Sequence, residues 1–205
     1  MDARIAVLAS GAGTNLQALL DDPVLGHSIV LVLSDRPTAT ALERAHARGV
    51  KAIVLERDHY PAREEFDAAQ ETVLEDEAIE FVLLAGYMRI LGPRVVRAFR
   101  DRILNVHPSL LPAFPGAHAV RDALEWGVKV TGATVHIVDE EVDHGPIVVQ
   151  EAVPILAGDD EPTLHARIQA VEHHIYPRAA RLLVEGRIKV EGRFVHFLDA
   201  SAEAP

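Results

Sequence analysis

The 205-residue chain contains no cysteine, which excludes disulfides, a thiol nucleophile and thiolate metal ligands. Basic residues are also short, 20 Lys and Arg against 31 Asp and Glu, for a formal net charge of −11. A general nucleic-acid surface is excluded by that balance, because such surfaces neutralise phosphates with Lys and Arg. A small anion in a local pocket remains compatible with it. No apolar run reaches membrane-spanning length, and Met1-Asp2-Ala3-Arg4 leads straight into a short apolar segment without the long apolar region of a signal peptide. The expectation is a cytoplasmic protein with no membrane partner. Internal repeats and low-complexity segments are missing as well. What remains is ordinary for a folded protein: 49% hydrophobic and 25% charged residues. The length predicts a single domain over 1–199, with 200–205 as a disordered tail.

Short apolar runs alternate with helix-patterned stretches. "RIAVLAS" (4–10), "SIVLVLS" (28–34), "VKAIVLE" (50–56) and "EFVLLAG" (80–86) read as buried strands. Between them, "LQALLDD" (16–22), "ATALERAHARG" (39–49) and "AREEFDAAQETVLEDE" (62–77) carry helical spacing. This rhythm predicts crossover units, and so an α/β, Rossmann-like, mainly parallel twisted sheet with helices on both faces. A further strand opens at Ile103. Beyond it, "VTGATVHIVD" (130–139) and "PIVVQEAVPI" (146–155) predict a hairpin-like pair added to the sheet. A long amphipathic helix over 162–184 and a terminal hairpin in 187–198, with Glu191-Gly192 at its turn, complete the expected order.

Three motifs carry chemistry. In "SGAGTNL" a glycine turn between strand and helix gathers backbone N–H groups at the positive end of a helix dipole, an anion site. Leu16 occupies the third glycine position of the dinucleotide fingerprint, which weighs against NAD, although Asp35 stands where a ribose-binding acid would be. The alternative is a tight turn with no ligand. In "NVHPS", Asn105 and His107 alternate with Val106, so in extended geometry both point to one face. An amide N–H₂ and an imidazole there could hold an oxyanion, and the imidazole could also move a proton. Three prolines follow, Pro108, Pro112 and Pro115; they predict a stiff loop walling the reacting groups. The alternative is a polar pair that satisfies backbone groups at a strand end. In "VDEEVDHGPIV" a carboxylate could orient His107 and favour its imidazolium. Asp143 is the choice, and spacing alone leaves Asp139, Glu140 and Glu141 as alternatives. No metal is expected: neighbouring His173 and His174 lie about 100° apart on a helix, and no ligand spacing appears among the 11 histidines.

Taken in order, "VLASGAGTNLQALL", "LAGYMRIL", "NVHPSLLPAFPG" and "VDHGPIVVQ" closely resemble the glycinamide ribonucleotide formyltransferases, over nearly the whole chain. The resemblance implies a formyltransferase-type fold with one catalytic domain. It also implies direct formyl transfer from 10-formyltetrahydrofolate, as co-substrate, to the amine of glycinamide ribonucleotide in purine synthesis. By matching motifs, Asn105, His107 and Asp143 are the catalytic trio. Gly13, Thr14 and Asn15 form the phosphoribosyl turn, and Glu172 contacts the glycinamide substrate. Arg63, Met88, Arg89, Ile90 and Leu91 contact the folate, and the loop Val138, Asp139, Glu140, Glu141, Val142 holds its pterin. Two positions depart from the family pattern: Val120 replaces a histidine after the proline loop, and His144 stands where glycine is common. The implied partners are small molecules, with a homodimer left open. Two other readings compete: a formyltetrahydrofolate hydrolase, and a non-enzymatic nucleotide-binding module supported by the glycine turn and Asp35.

Overall fold

A computed structural model of the chain describes residues 3–198. Residues 200–205, the expected tail, lie outside the described residues. The strands are β1 (Ile5–Leu8), β2 (Ile29–Ser34), β3 (Lys51–Val54), β4 (Phe81–Leu84), β5 (Ile103–His107), β6 (Val130–Ile137), β7 (Ile147–Pro154), β8 (Ile188–Glu191) and β9 (Phe194–Phe197). The helices are α1 (Thr14–Asp21), α2 (Thr40–Ala47), α3 (Arg63–Asp76), α4 (Pro93–Ala98), α5 (Ala119–Trp126) and α6 (Glu161–Val184). Seven strands form one sheet in the order β3-β2-β1-β4-β5-β6-β7, and β8 and β9 form a separate two-stranded sheet. The fold is α/β, as expected from the alternation of apolar runs. The strands are shorter than those runs, because Ala9, Ser10 and Ala85, though buried, already lie in the connecting turns.

The chain divides between Leu104 and Asn105 into two compact units. In the first, β1 pairs in parallel with β2 and β4, and β2 with β3. Ile5, Ala6, Val7 and Leu8 are wholly buried, which is why β1 reads as a continuous apolar run rather than an alternating one. Chain order reverses direction in the sheet between β1 and β4. Just beyond β1, α1 starts after Gly13, whose φ of +70° suits glycine. A Cβ there would lie 2.8 Å from the Cα of Ala41, so the missing side chain is also what lets the turn pack against α2.

In the second unit, β6 and β7 pair antiparallel, and α6 packs on both. Helix α6 begins at Asp160, whose carboxylate accepts from the Thr163 backbone N–H at 2.9 Å, a side-chain cap on the first turn. The terminal pair β8–β9 is the expected hairpin, and β9 packs against β7. Helix α5 was not legible as an element; its apolar stripe is only Ala119, Val120 and Ala123.

The proline loop, residues 108–116, is fixed by one buried hydroxyl. Thr134 Oγ1 on β6 donates to the Ser109 carbonyl (2.7 Å) and accepts from the Leu111 N–H (3.1 Å) and from Gln150 Nε2 (2.9 Å). Gln150 Nε2 also donates to the Leu111 carbonyl at 2.8 Å. A threonine hydroxyl has one proton and two lone pairs, so this one is saturated. Replacing it with a methyl takes the acceptor from the buried Leu111 N–H and the donor from the Ser109 carbonyl. Thr134→Val should therefore lower stability by about 1–3 kcal/mol, read by urea denaturation; a change within about 0.3 kcal/mol would show that the hydroxyl does not hold the loop.

Candidate active site

Strand β5 ends in the residues that matter. Asn105 and His107 share one face, and the chain then enters the braced loop. That loop places two backbone groups: the Phe114 carbonyl, at a residue with φ +53°, and the N–H of Gly116, with φ +93°. The connection from β6 to β7 supplies Asp143. It is closed by the Ile137 N–H donating to the Pro146 carbonyl at 2.8 Å. Gly145 makes this closure feasible, since a Cβ there would fall 1.8 Å from the Ile137 carbonyl oxygen.

Asp143 is the hub. Its Oδ2 accepts from the Gly116 N–H at 2.7 Å and lies 3.3 Å from His107 Nδ1. Its Oδ1 faces Asn105 Nδ2 across a longer 3.4 Å. His107 is buried, with 4% of its surface exposed, and its Nε2 sits 2.8 Å from the Phe114 carbonyl oxygen. Both ring nitrogens thus face acceptors. A neutral imidazole carries one proton and leaves one of these contacts unmet, whereas an imidazolium meets both. Burial works the other way and is the larger influence: it pushes His107 below the ordinary imidazole pKa, against the pull of Asp143 and the Phe114 carbonyl. Asp143 does favour the imidazolium, as expected of a carboxylate beside the ring, and burial outweighs it. The site holds a ring poised to receive a proton. Burial also opposes ionisation of Asp143, but contact with His136, the Gly116 N–H and the neighbouring imidazoles outweigh it and hold the carboxyl below its usual value.

His136 is the residue the sequence did not single out. On β6 it is 2% exposed, with Nδ1 2.9 Å from the Ile137 carbonyl oxygen and Nε2 3.1 Å from Asn105 Nδ2. The carbonyl can only accept, so Nδ1 carries a proton, while Nε2 faces both the Asn105 amide and, at 3.7 Å, Asp143 Oδ1. The Asn105 amide nitrogen thus lies between His136 and Asp143. Within the strand His136 looked like one more residue of an extended run, and only the pairing of elements reveals its role.

Two of the other acidic alternatives, Asp139 and Glu141, face His144. Asp139 Oδ2 lies 2.8 Å from His144 Nδ1, and Asp139 Oδ1 accepts from the Glu141 N–H. Glu140, Glu141 and Val142 are exposed, and Val138 and Asp139 are half-buried in the same loop. Glu172 is buried on α6, in the unit that carries the trio.

In the first unit, Thr14 and Asn15 open α1, which has no acidic residue in its first turn. Arg44 reaches over the turn, its Nε donating to the Ala12 carbonyl at 2.8 Å. Asp35 is not available to a ribose: its Oδ1 accepts from Ser10 Oγ (2.6 Å) and its Oδ2 from Arg89 Nε (2.8 Å). The Met88 N–H donates to the same Ser10 hydroxyl, so the segment after β4 is tied down through Asp35. On that segment Met88 and Ile90 are 64% and 59% exposed, whereas Leu91 is buried. Arg63 faces Asp67 at 3.6 Å and donates to the Ile90 carbonyl at 3.3 Å. Among the described residues, no group of three or more His, Cys, Asp or Glu could hold a metal ion.

Residues 3–180 match the family profile described as formyl transferase. The chain belongs to the formyl transferase family. Among curated formyl transferase relatives, the phosphoribosylglycinamide formyltransferase of Mycobacterium tuberculosis is 45% identical over 193 residues, covering 93% of this chain and 89% of that protein. The trifunctional purine biosynthetic protein adenosine-3 of Drosophila pseudoobscura is 49% identical over 191 residues, covering 91% of this chain. The chain spans only 14% of that protein's length. Among solved formyl transferase structures, glycinamide ribonucleotide transformylase 1 from Symbiobacterium toebii superposes with a TM-score of 0.93 at 52% identity, covering 96% of this chain and 94% of that one.

The geometry fixes the sign of one titration. Asp143 favours the protonated ring, so its removal should lower the His107 pKa further. Followed by NMR, the His107 ring should titrate below the ordinary imidazole value, and lower still in Asp143→Asn. A midpoint that rises in the variant would contradict the hub role.

Proposed function

We propose that this formyl transferase moves the formyl group of 10-formyltetrahydrofolate to the amine of glycinamide ribonucleotide, a step of purine synthesis. In this reading residues 1–199 serve as one catalytic domain. The observation that carries it is the junction at Asp143, which faces an amide donor and a buried imidazole at once. Such a junction suits a reaction that builds negative charge on one oxygen while a proton changes hands.

The amine attacks the formyl carbon, and the carbonyl electrons move onto oxygen. Asn105 Nδ2 and the His107 ring receive that oxyanion. His107, kept neutral at rest by burial, takes the amine proton, and Asp143 stabilises the imidazolium as it forms. The proton passes, directly or through water, to the folate nitrogen as its bond to the formyl carbon breaks. Nothing covalent forms on the protein. The absence of cysteine agrees with this, as does the engagement of Ser109, near His107 in sequence, whose hydroxyl donates to the Ala113 carbonyl at 2.5 Å.

Binding roles follow the same reading. The turn of Gly13, Thr14 and Asn15 takes the phosphate at the helix N-terminus, supported by the lack of first-turn acid and by Arg44 beside it. Glu172 takes the substrate's glycinamide end. Arg63, Met88, Arg89, Ile90 and Leu91, with the loop from Val138 to Val142, receive the folate. Exposure of Met88 and Ile90 beside tethered Arg89 supports this, since an apolar face anchored from behind suits a flat ring. A cytoplasmic location belongs to the proposal, with no helix among the described residues long and apolar enough to cross a membrane. A homodimer is compatible with it, and sedimentation velocity decides that point.

The binding-module alternative drew on the glycine turn and on Asp35 as a ribose acceptor, and the Asp35 side chain has no exposed surface and is held by Ser10 and Arg89. The hydrolase alternative is separated by experiment. Formyl loss from 10-formyltetrahydrofolate, followed by absorbance, should require glycinamide ribonucleotide; donor loss without acceptor would make the protein a hydrolase. In the same assay Asn105→Ala should reduce kcat about 10²–10³-fold, and near-normal turnover would remove Asn105 from the mechanism.

A further inference from the structure

The β8–β9 hairpin touches the loop that carries Asp143. Arg193, in the hairpin turn, places Nη1 3.0 Å from His144 Nε2. On its other side His144 Nδ1 lies 2.8 Å from Asp139 Oδ2. The same Nη1 lies 3.4 Å from His144 Nδ1, so the guanidinium nitrogen sits over the imidazole, while the Asp139 carboxylate can only accept and takes the Nδ1 proton. The imidazole thus bridges a cation on the hairpin to an anion in the loop. Asp139 in turn accepts from the Glu141 N–H at 3.0 Å, so the bridge reaches the backbone of the loop itself. His144 is also the immediate neighbour of Asp143, which sits at φ +52°, a conformation that side-chain-bearing residues rarely hold. A histidine at 144 supplies what a glycine there could not: a ring that spans from hairpin to loop.

We infer that Arg193 and His144 are positioning residues, and that the terminal hairpin braces the loop of residues 138–143 in the form that receives the formyl donor. The physical effect is preorganisation: a loop already ordered loses less conformational freedom when ligand arrives. Arg193 reaches the loop through His144. The kinetic part of the inference rests on the reading of this loop as the folate side of the site.

The test uses the full chain as Arg193→Ala, His144→Gly and the double variant, with Arg193→Lys as the conservative control. In the unliganded protein, hydrogen exchange at the amides of residues 139–143 should quicken in Arg193→Ala and in His144→Gly, and no more in the double than in His144→Gly. The KM for 10-formyltetrahydrofolate should rise about two- to fivefold in Arg193→Ala, in keeping with an exposed charged contact. The KM for glycinamide ribonucleotide should stay fixed, and Arg193→Lys should recover part of the loss. Unchanged exchange in Arg193→Ala would overturn the brace whatever the kinetics. Faster exchange with an unchanged folate KM would leave the brace standing and overturn the assignment of this loop to folate.

Discussion

The site depends on the Asp143 carboxylate. One oxygen is held by a backbone N–H of the proline loop and faces the imidazole, and the other faces the Asn105 amide. Its position requires conformations that ordinary loops avoid: a left-handed Asp143, a left-handed Phe114, and a glycine at 145 pressed against the Ile137 carbonyl. Strain of this kind persists only where the surroundings over-determine it. Here the surroundings are the saturated Thr134 hydroxyl on one side and the closed end of the β6–β7 pair on the other.

Burial and charge divide the chemistry between them. Taking His107 out of water disfavours the imidazolium, which keeps the resting ring a base. Surrounding it with two acceptors gives the added proton somewhere to point. The same burial would neutralise Asp143, were it not for the N–H and imidazole groups around its oxygens. His136 completes the set, with its Nε2 against both the Asn105 amide and Asp143 Oδ1.

Most of the fold could be read from the sequence because buried parallel strands are continuous apolar runs, as in "RIAVLAS", and because α6 has both a capping aspartate and a long periodic face. The pair Asn105 and His107 was legible for a related reason: two polar residues on one face of a strand end have little structural purpose. Asp143 could not be separated from Asp139 by spacing, since both lie in one short acidic loop; the difference is that Asp139 faces His144 while Asp143 faces His107. His136 stayed hidden because a histidine within a β-branched run carries no local signal. Asp35 was misleading for a similar reason. Its place at the end of β2 fits a ribose contact, and only the fold brings Ser10 and Arg89 to it. Gly13 has two reasons to be glycine, and the close approach of Ala41 was invisible without the packing of α1 on α2.

If Asp143 makes Asn105 and His107 one device, the losses on removing its parts cannot be independent. The direct measurement is a double-mutant cycle on kcat/KM with Asn105→Ala, Asp143→Asn and the pair. The double variant should be about as impaired as the worse single one, as for residues that act as a unit. A double variant impaired by the product of the two separate losses would mean that Asn105 and Asp143 work apart, and the central claim would fail.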